Sequence, residues 1–172
     1  NLSRAMLEKS ISLKEFETRG SAITNFKETL PVPQNMLAQD IIKDPYNFDF
    51  LTMYDDYSEK ELELSLSRNI ERFLLELGKG FAFVGRQVEL RVSDTSYYVD
   101  MLFYHIRLKS YIVVELKSVD FKPEFVGKLN FYVNAVDNLL RHDDDNQTIG
   151  LLICHGKDNT KVEWSFKGLE TP

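Results

Sequence analysis

Asp100, Glu115 and Lys117 are the residues of this chain whose types and spacing can do chemistry. They fall in residues 97–117, YYVDMLFYHIRLKSYIVVELK, where two runs rich in β-branched and aromatic residues flank a polar break at Arg107-Leu108-Lys109-Ser110. That is the pattern of a β-hairpin. A loop of residues 106–109 pairs His105 with Ser110, and counting back sets Asp100 across from Glu115. Like charges in that register destabilise a sheet, and strand alternation turns Lys117 to the same face as Glu115. A divalent cation converts the repulsion into coordination. The alternative is a buried Asp/Glu–Lys ion pair that satisfies only itself. With a cation, the set suits attack of water on a phosphodiester. The carboxylates, with the Leu116 carbonyl as a further ligand, hold Mg²⁺, which prefers oxygen ligands and retains waters. The metal polarises the phosphate, while Lys117 orients the water and neutralises charge developing on phosphorus.

The rest of the chain has to position that hairpin. Residues 56–77 read as one helix, with Ser58 and Glu61 spaced as a capping box. Leu62, Leu66, Ile70, Phe73 and Leu77 form its apolar stripe, and Gly78 its left-handed stop. Residues 81–92 read as a strand, bent or bulged near Gly85. Residues 93–96 form a turn, so three strands follow one another as an antiparallel meander. A second helix opens at Pro123 and Glu124 and buries Phe125, Leu129, Tyr132, Val133, Val136 and Leu140. The apolar run 148–154 reads as a strand buried on both faces, reached by a crossover and parallel to the strand it leaves. Residues 162–166 are expected as a last, edge strand. The fold class is α/β, a mixed sheet flanked by helices.

Toward the amino end, Leu2, Met6, Leu7, Ile11, Leu13 and Phe16 suit one helix. Pro31-Val32-Pro33 and Asp44-Pro45 are breakers, with a short helix over residues 34–43 between them. Residues 1–45 are expected to be an arm or the tail of an upstream domain, too small to hold a core. The first residue is Asn, as in a fragment.

The chain has 172 residues and a net charge of −6. Residues 1–45 carry six basic and six acidic groups, so the excess falls on residues 46–172. That argues against indiscriminate nucleic-acid binding, and a nucleic-acid enzyme with this balance needs a basic patch, a metal or a second subunit. No apolar run is long enough to span a membrane, and no charged-then-apolar leader opens the chain. The single cysteine, Cys154, fits a reducing cytoplasm and reads as a buried, inert thiol. His105, His142 and His155 are scattered, which speaks against structural zinc; His105 is expected to pack. Asp143 to Asp145 lack the glycine and closing Glu of an EF-hand, and no Gly-rich phosphate loop is present.

Asp100 followed by Glu115-Leu116-Lys117 on the next strand resembles the PD-(D/E)XK nuclease superfamily. More specific words surround it: FLLELGKGFAFVGRQ (73–87), YVDMLFYH (98–105), VVELK (113–117), FKPEFVGKLNFYVNAVD (121–137) and RHDDDNQTIGLLIC (141–154). Together they resemble the C-terminal nuclease domain of the bacterial YhcG-type family, from about Asp44 to Phe166. The resemblance implies a restriction-endonuclease-like core of order α-β-β-β-α-β over residues 46–172, preceded by the end of a helical domain. It makes Asp100 and Glu115 metal ligands, Lys117 the catalytic lysine, and Lys128 the added basic residue of the following helix. A Glu of the first helix often completes the site in the superfamily. Glu71 and Glu76 both qualify, and Glu76, in the word FLLELG, is preferred. Asp143 and Gln147 stand where relatives tend to have Pro.

The resulting expectation is a nuclease dependent on Mg²⁺, with Mn²⁺ as a substitute, that cuts DNA. Arg86, Lys122 and Lys128 are the candidate phosphate contacts, and a homodimer would suit the cutting of two strands. The rival is a non-catalytic nucleic-acid-binding or assembly module on the same fold. RNA and branched junctions stay open as substrates.

Overall fold

A computed structural model describes residues 22–44, 46–48, 50–51 and 57–172. The helix expected on Leu2 to Phe16 lies outside these residues. Among these residues two short helices, α1 (Phe26–Thr29) and α2 (Gln34–Ile41), come first. Next come α3 (Glu59–Arg68), α4 (Ile70–Leu77), β1 (Phe81–Val92), β2 (Thr95–His105) and β3 (Ser110–Leu116). The chain ends with α5 (Glu124–Leu139), β4 (Ile149–Ile153) and α6 (Asn159–Phe166).

The sheet order is β1-β2-β3-β4, with β1, β2 and β3 antiparallel and β4 parallel to β3. One face is covered by α3 and α4 through Leu62, Leu66, Phe73 and Leu77, which pack with Met101, Phe103, Ile112 and Val114. The opposite face is covered by α5 through Tyr132, Val133, Ala135 and Val136, which pack with Val99, Leu102 and Val113. Phe26, Leu30, Ala38 and Ile42 join the first of these clusters, so the described part of residues 1–45 is packed on the same core as the sheet. Among the described residues no helix is long and apolar enough to cross a membrane.

Two elements depart from expectation. The helix over residues 56–77 is two helices, α3 and α4, although the Ser58–Glu61 capping box is complete. They divide at Asn69 (φ −113°, ψ 38°), whose backbone N–H is shared between the carbonyls of Ser65 and Leu66 and whose side-chain amide also donates to Ser65. A short amide side chain competes with the backbone for its own hydrogen bonds, which breaks a helix at little cost. The second departure is residues 162–166, which form helix α6 rather than an edge strand. Asp158 caps it by accepting from the Lys161 N–H. Val162 and Phe166, four residues apart, pack with Phe121 and Val126. The helical face was a better match to this small cluster than strand alternation. Asp158→Ala removes the cap and is expected to lower stability by about 1 kcal/mol, read as a drop in the thermal midpoint.

His105 is buried, as expected of a packing residue. Its Nδ1 accepts from the Leu108 N–H, so Nε2 carries the proton and donates to the Lys79 carbonyl. Burial holds its pKa below the usual histidine range. The ring fixes the tight turn between β2 and β3, and with it the register on which the candidate site depends.

Candidate active site

The hairpin register runs His105↔Ser110, Tyr104↔Tyr111, Phe103↔Ile112, Leu102↔Val113 and Met101↔Val114. The next rung holds Asp100 and Glu115, the juxtaposition expected from the sequence. The Asp100 backbone N–H reaches Glu115 Oε1 at 3.4 Å, and the Leu116 N–H donates to Asp100 Oδ2 at 3.0 Å. Leu116 thus meets the site through its amide.

Glu115 is only 1% exposed. Its Oε2 is buried without a hydrogen bond, and the nearest cation is Lys128 Nζ, at 3.5 Å. Burial, and then the neighbouring Asp100 carboxylate, push the Glu115 carboxyl up to about 7, against the opposing pull of Lys128 and Lys117. Lys128 comes from α5 and is half exposed. Burial pushes its ammonium down, but the attraction of Glu115, Tyr132 and Asp100 outweighs this and leaves its pKa above the usual lysine range. The ammonium also lies 5.4 Å from the centre of the Tyr132 ring.

Lys117 follows the last residue of β3, where strand alternation no longer dictates its direction. Its ammonium sits 3.6 Å from Glu59 of α3 and 4.7 Å from the centre of the Phe125 ring. From there its charge still acts on Glu115. Cys154, partly rather than fully buried, also feels Lys117, yet burial drives that thiol up to about 11.

A further carboxylate reaches this region from the other face of the sheet. Glu63 of α3 is buried and accepts from Arg86 Nη1 at 2.9 Å and Gln87 Nε2 at 2.7 Å. The same Gln87 nitrogen lies 3.3 Å from Asp100 Oδ1. Both strands change face at this rung. Arg86 turns toward α3, whereas Val88 packs on the α5 side. Met101 packs with α3 and α4, whereas Val99 packs with α5. In regular strands the members of each pair would share a face. The residue at the switch on β1 is Gln87, with φ +48°, just past the register shift between Phe83 and Gly85. The bulge expected near Gly85 is therefore present, and a second irregularity follows it.

Glu76 is not brought to this group. Its carboxylate pairs with Lys43 at 3.0 Å and accepts from the Asn47 N–H at 2.7 Å, tying α4 to those two residues. Glu71 is exposed. The helix carboxylate nearest the rung is Glu63, which sequence reasoning passed over. Its signal was a charge set among Leu62, Leu66 and Ile70, within the apolar stripe. Arg86 uses one guanidinium nitrogen on Glu63 and stays 38% exposed. Lys122 is exposed ahead of α5.

The donors fit a hard divalent cation. Two carboxylates meet at one rung, and one oxygen is buried without a hydrogen bond, with only the Lys128 ammonium, 3.5 Å away, to offset its charge. Among the described residues no three His, Cys, Asp or Glu side chains gather as a metal-binding cluster. Magnesium, however, is commonly held by one or two carboxylates together with water and substrate phosphate.

A mixed sheet of α-β-β-β-α-β order, with Asp in one strand and Glu-x-Lys at the end of the next, is the arrangement of the PD-(D/E)XK nuclease class. The chain belongs to the family described as the YhcG PDDEXK nuclease domain, which matches residues 39–172. It is 38% identical over 139 residues to "Putative nuclease YhcG" of Escherichia coli (strain K12), a match covering 81% of this chain and 37% of that protein. The chain thus spans little more than a third of the length of that relative. Solved structures similar to it include a repair endonuclease from Pyrococcus abyssi, with a TM-score of 0.43 and 18% identity over 66% of this chain and 45% of the other. A second, described as EndoMS in apo form, has a TM-score of 0.44 and 18% identity over 67% of this chain and 44% of the other.

Proposed function

We propose that this nuclease domain hydrolyses phosphodiester bonds in DNA with Mg²⁺, or Mn²⁺ in its place, held by Asp100 and Glu115. The observation that carries this reading is Glu115, a buried carboxylate facing a second carboxylate with one oxygen left without a hydrogen bond. Such an arrangement destabilises the fold unless a cation completes it. When bound, the cation supplies Lewis acidity at the phosphate and a more acidic water. Asp100 and Glu115 would hold it, with the Leu116 carbonyl as a further ligand. Lys117 orients the attacking water and neutralises charge developing on phosphorus; leaving Glu59 costs it little, since that partner is half exposed. Lys128 balances Glu115 in the metal-free protein and turns to phosphate when substrate arrives. Lys122 and Arg86 are the other phosphate contacts.

The net charge of −6 leaves too little positive surface for tight binding by the domain alone. The remainder of the protein or a second copy in a homodimer supplies the rest. The test is a cleavage assay of the intact protein with Mg²⁺ or Mn²⁺ on duplex, single-stranded and junction DNA and on RNA. Metal-dependent cleavage that stops with a chelator is expected for DNA. Binding without cleavage across the whole panel would instead establish a non-catalytic module, and cleavage of RNA alone would overturn the substrate.

A further inference from the structure

We infer that Gln87 is a positioning residue: its side-chain amide bridges Glu63 and Asp100 and sets the Asp100 carboxylate for the cation. The inference rests on the reading of Asp100 as a metal ligand. Its starting point is backbone geometry. Gln87 has φ +48°, a left-handed conformation that a non-glycine residue adopts at a cost and that is favoured mainly by Gly and Asn. By register it stands opposite Asp100, between the pairs Arg86↔Met101 and Val88↔Val99, and both strands switch face there.

The left-handed turn does something a regular strand cannot. In an extended strand, residues 86 and 88 share a face, and residue 87 points away from it. Here the rung is twisted so that one nitrogen of Gln87 lies 2.7 Å from Glu63, on the α3 side, and 3.3 Å from Asp100. A primary amide suits this position, because it offers two donors to two carboxylates without adding a charge that would compete with a cation. Lysine or arginine there would neutralise the site and weaken cation binding. Arg86 does neutralise, but on the other oxygen of Glu63, leaving Asp100 to the amide. Hydrogen bonds that orient a ligating carboxylate tune metal affinity as well as geometry.

Two variants of the intact protein test this. Gln87→Gly accepts the left-handed backbone and removes the amide. Gln87→Asn also accepts it and is one methylene too short to span both carboxylates. Calorimetric titration with Mn²⁺ is expected to show affinity lower by about tenfold to a hundredfold in both, with cooperative thermal unfolding retained. Cleavage should recover as Mn²⁺ is raised, with the KM for DNA unchanged, a rescue that a merely structural defect would not show. If either folded variant binds Mn²⁺ within about threefold of wild type, or if added Mn²⁺ fails to restore cleavage, the assignment of Gln87 is overturned. Asp100→Ala run alongside separates the two levels. Should it also bind like wild type, the metal site itself is misplaced; should it alone lose binding, only the role of Gln87 falls.

Discussion

Asp100→Ala and Lys117→Ala are each expected to abolish metal-dependent cleavage while leaving the fold standing. For Asp100 the loss has two parts. One ligand oxygen set disappears, and the Glu115 carboxyl, left without its like-charged neighbour, no longer has a reason to share a cation. Folding tolerates the change because Asp100 is only partly buried, so water can take over the Leu116 N–H that it accepts. For Lys117 the ion pair with Glu59 is half exposed on the glutamate side and contributes little to stability. The rate effect is much larger, because removing one group that stabilises developing charge costs about 10²–10³ in kcat. Single-turnover cleavage of duplex DNA at saturating Mg²⁺, set beside circular dichroism of each variant, measures both halves of the statement. Cleavage at the wild-type rate by either folded variant removes that residue from the mechanism.

The meeting of Asp100 and Glu115 was legible in the sequence because a hairpin is a counting problem. Once the loop was placed at residues 106–109, the pairing of His105 with Ser110 fixed every later rung, including the one that brings Asp100 to Glu115. Lys128 came from the family resemblance rather than from counting, and the structure brings it to Glu115 because the crossover places α5 over the face that Glu115 points to. Glu63 was hidden because an isolated charge on a helix ordinarily reads as solvated. Glu76 looked as good in sequence, and what separates them is where the helix breaks. With the division at Asn69, α4 presents Glu76 to Lys43 and α3 presents Glu63 to the rung. Gln87 was beyond reach for a different reason. Period-two reasoning assumes extended backbone throughout, and a left-handed residue reverses the face of everything after it. The strand expected over residues 162–166 failed on propensity, since Val, Trp and Phe favour strands in isolation, whereas the cap at Asp158 and the small cluster around Phe121 dictated a helix.

Glu115→Gln makes the metal-free protein more stable at pH 8 and leaves it little changed at pH 5. The carboxyl is raised from 4.5 to about 7 by burial and by Asp100. The folded state therefore holds a proton over a range where the unfolded chain has released it. Stability falls with pH wherever the folded state binds more protons, so this group costs nothing below about pH 4.5, costs progressively more up to about pH 7, and stays costly above. The full effect is roughly 3 kcal/mol, at about 1.4 kcal/mol per pKa unit. A glutamine keeps the size and the acceptor that faces the Asp100 N–H and never ionises. The other charged groups around the position, Asp100, Lys128 and Lys117, are unchanged, and Lys128 is half exposed and free to turn to solvent. Thermal midpoints in the presence of chelator are expected to rise by roughly 2–4 °C per kcal/mol at pH 8 and to converge at pH 5. An equal gap at both pH values would show that ionisation of Glu115 is not what strains the fold. Saturating Mg²⁺ should act in the opposite direction, because a cation that binds only the folded state stabilises it by about 2.7 kcal/mol at a hundred times its dissociation constant. Wild type should gain that increment and the glutamine variant should not. The carboxylate that weakens the empty domain would then be the one that strengthens the loaded domain, as expected of a residue kept for binding a cation rather than for folding.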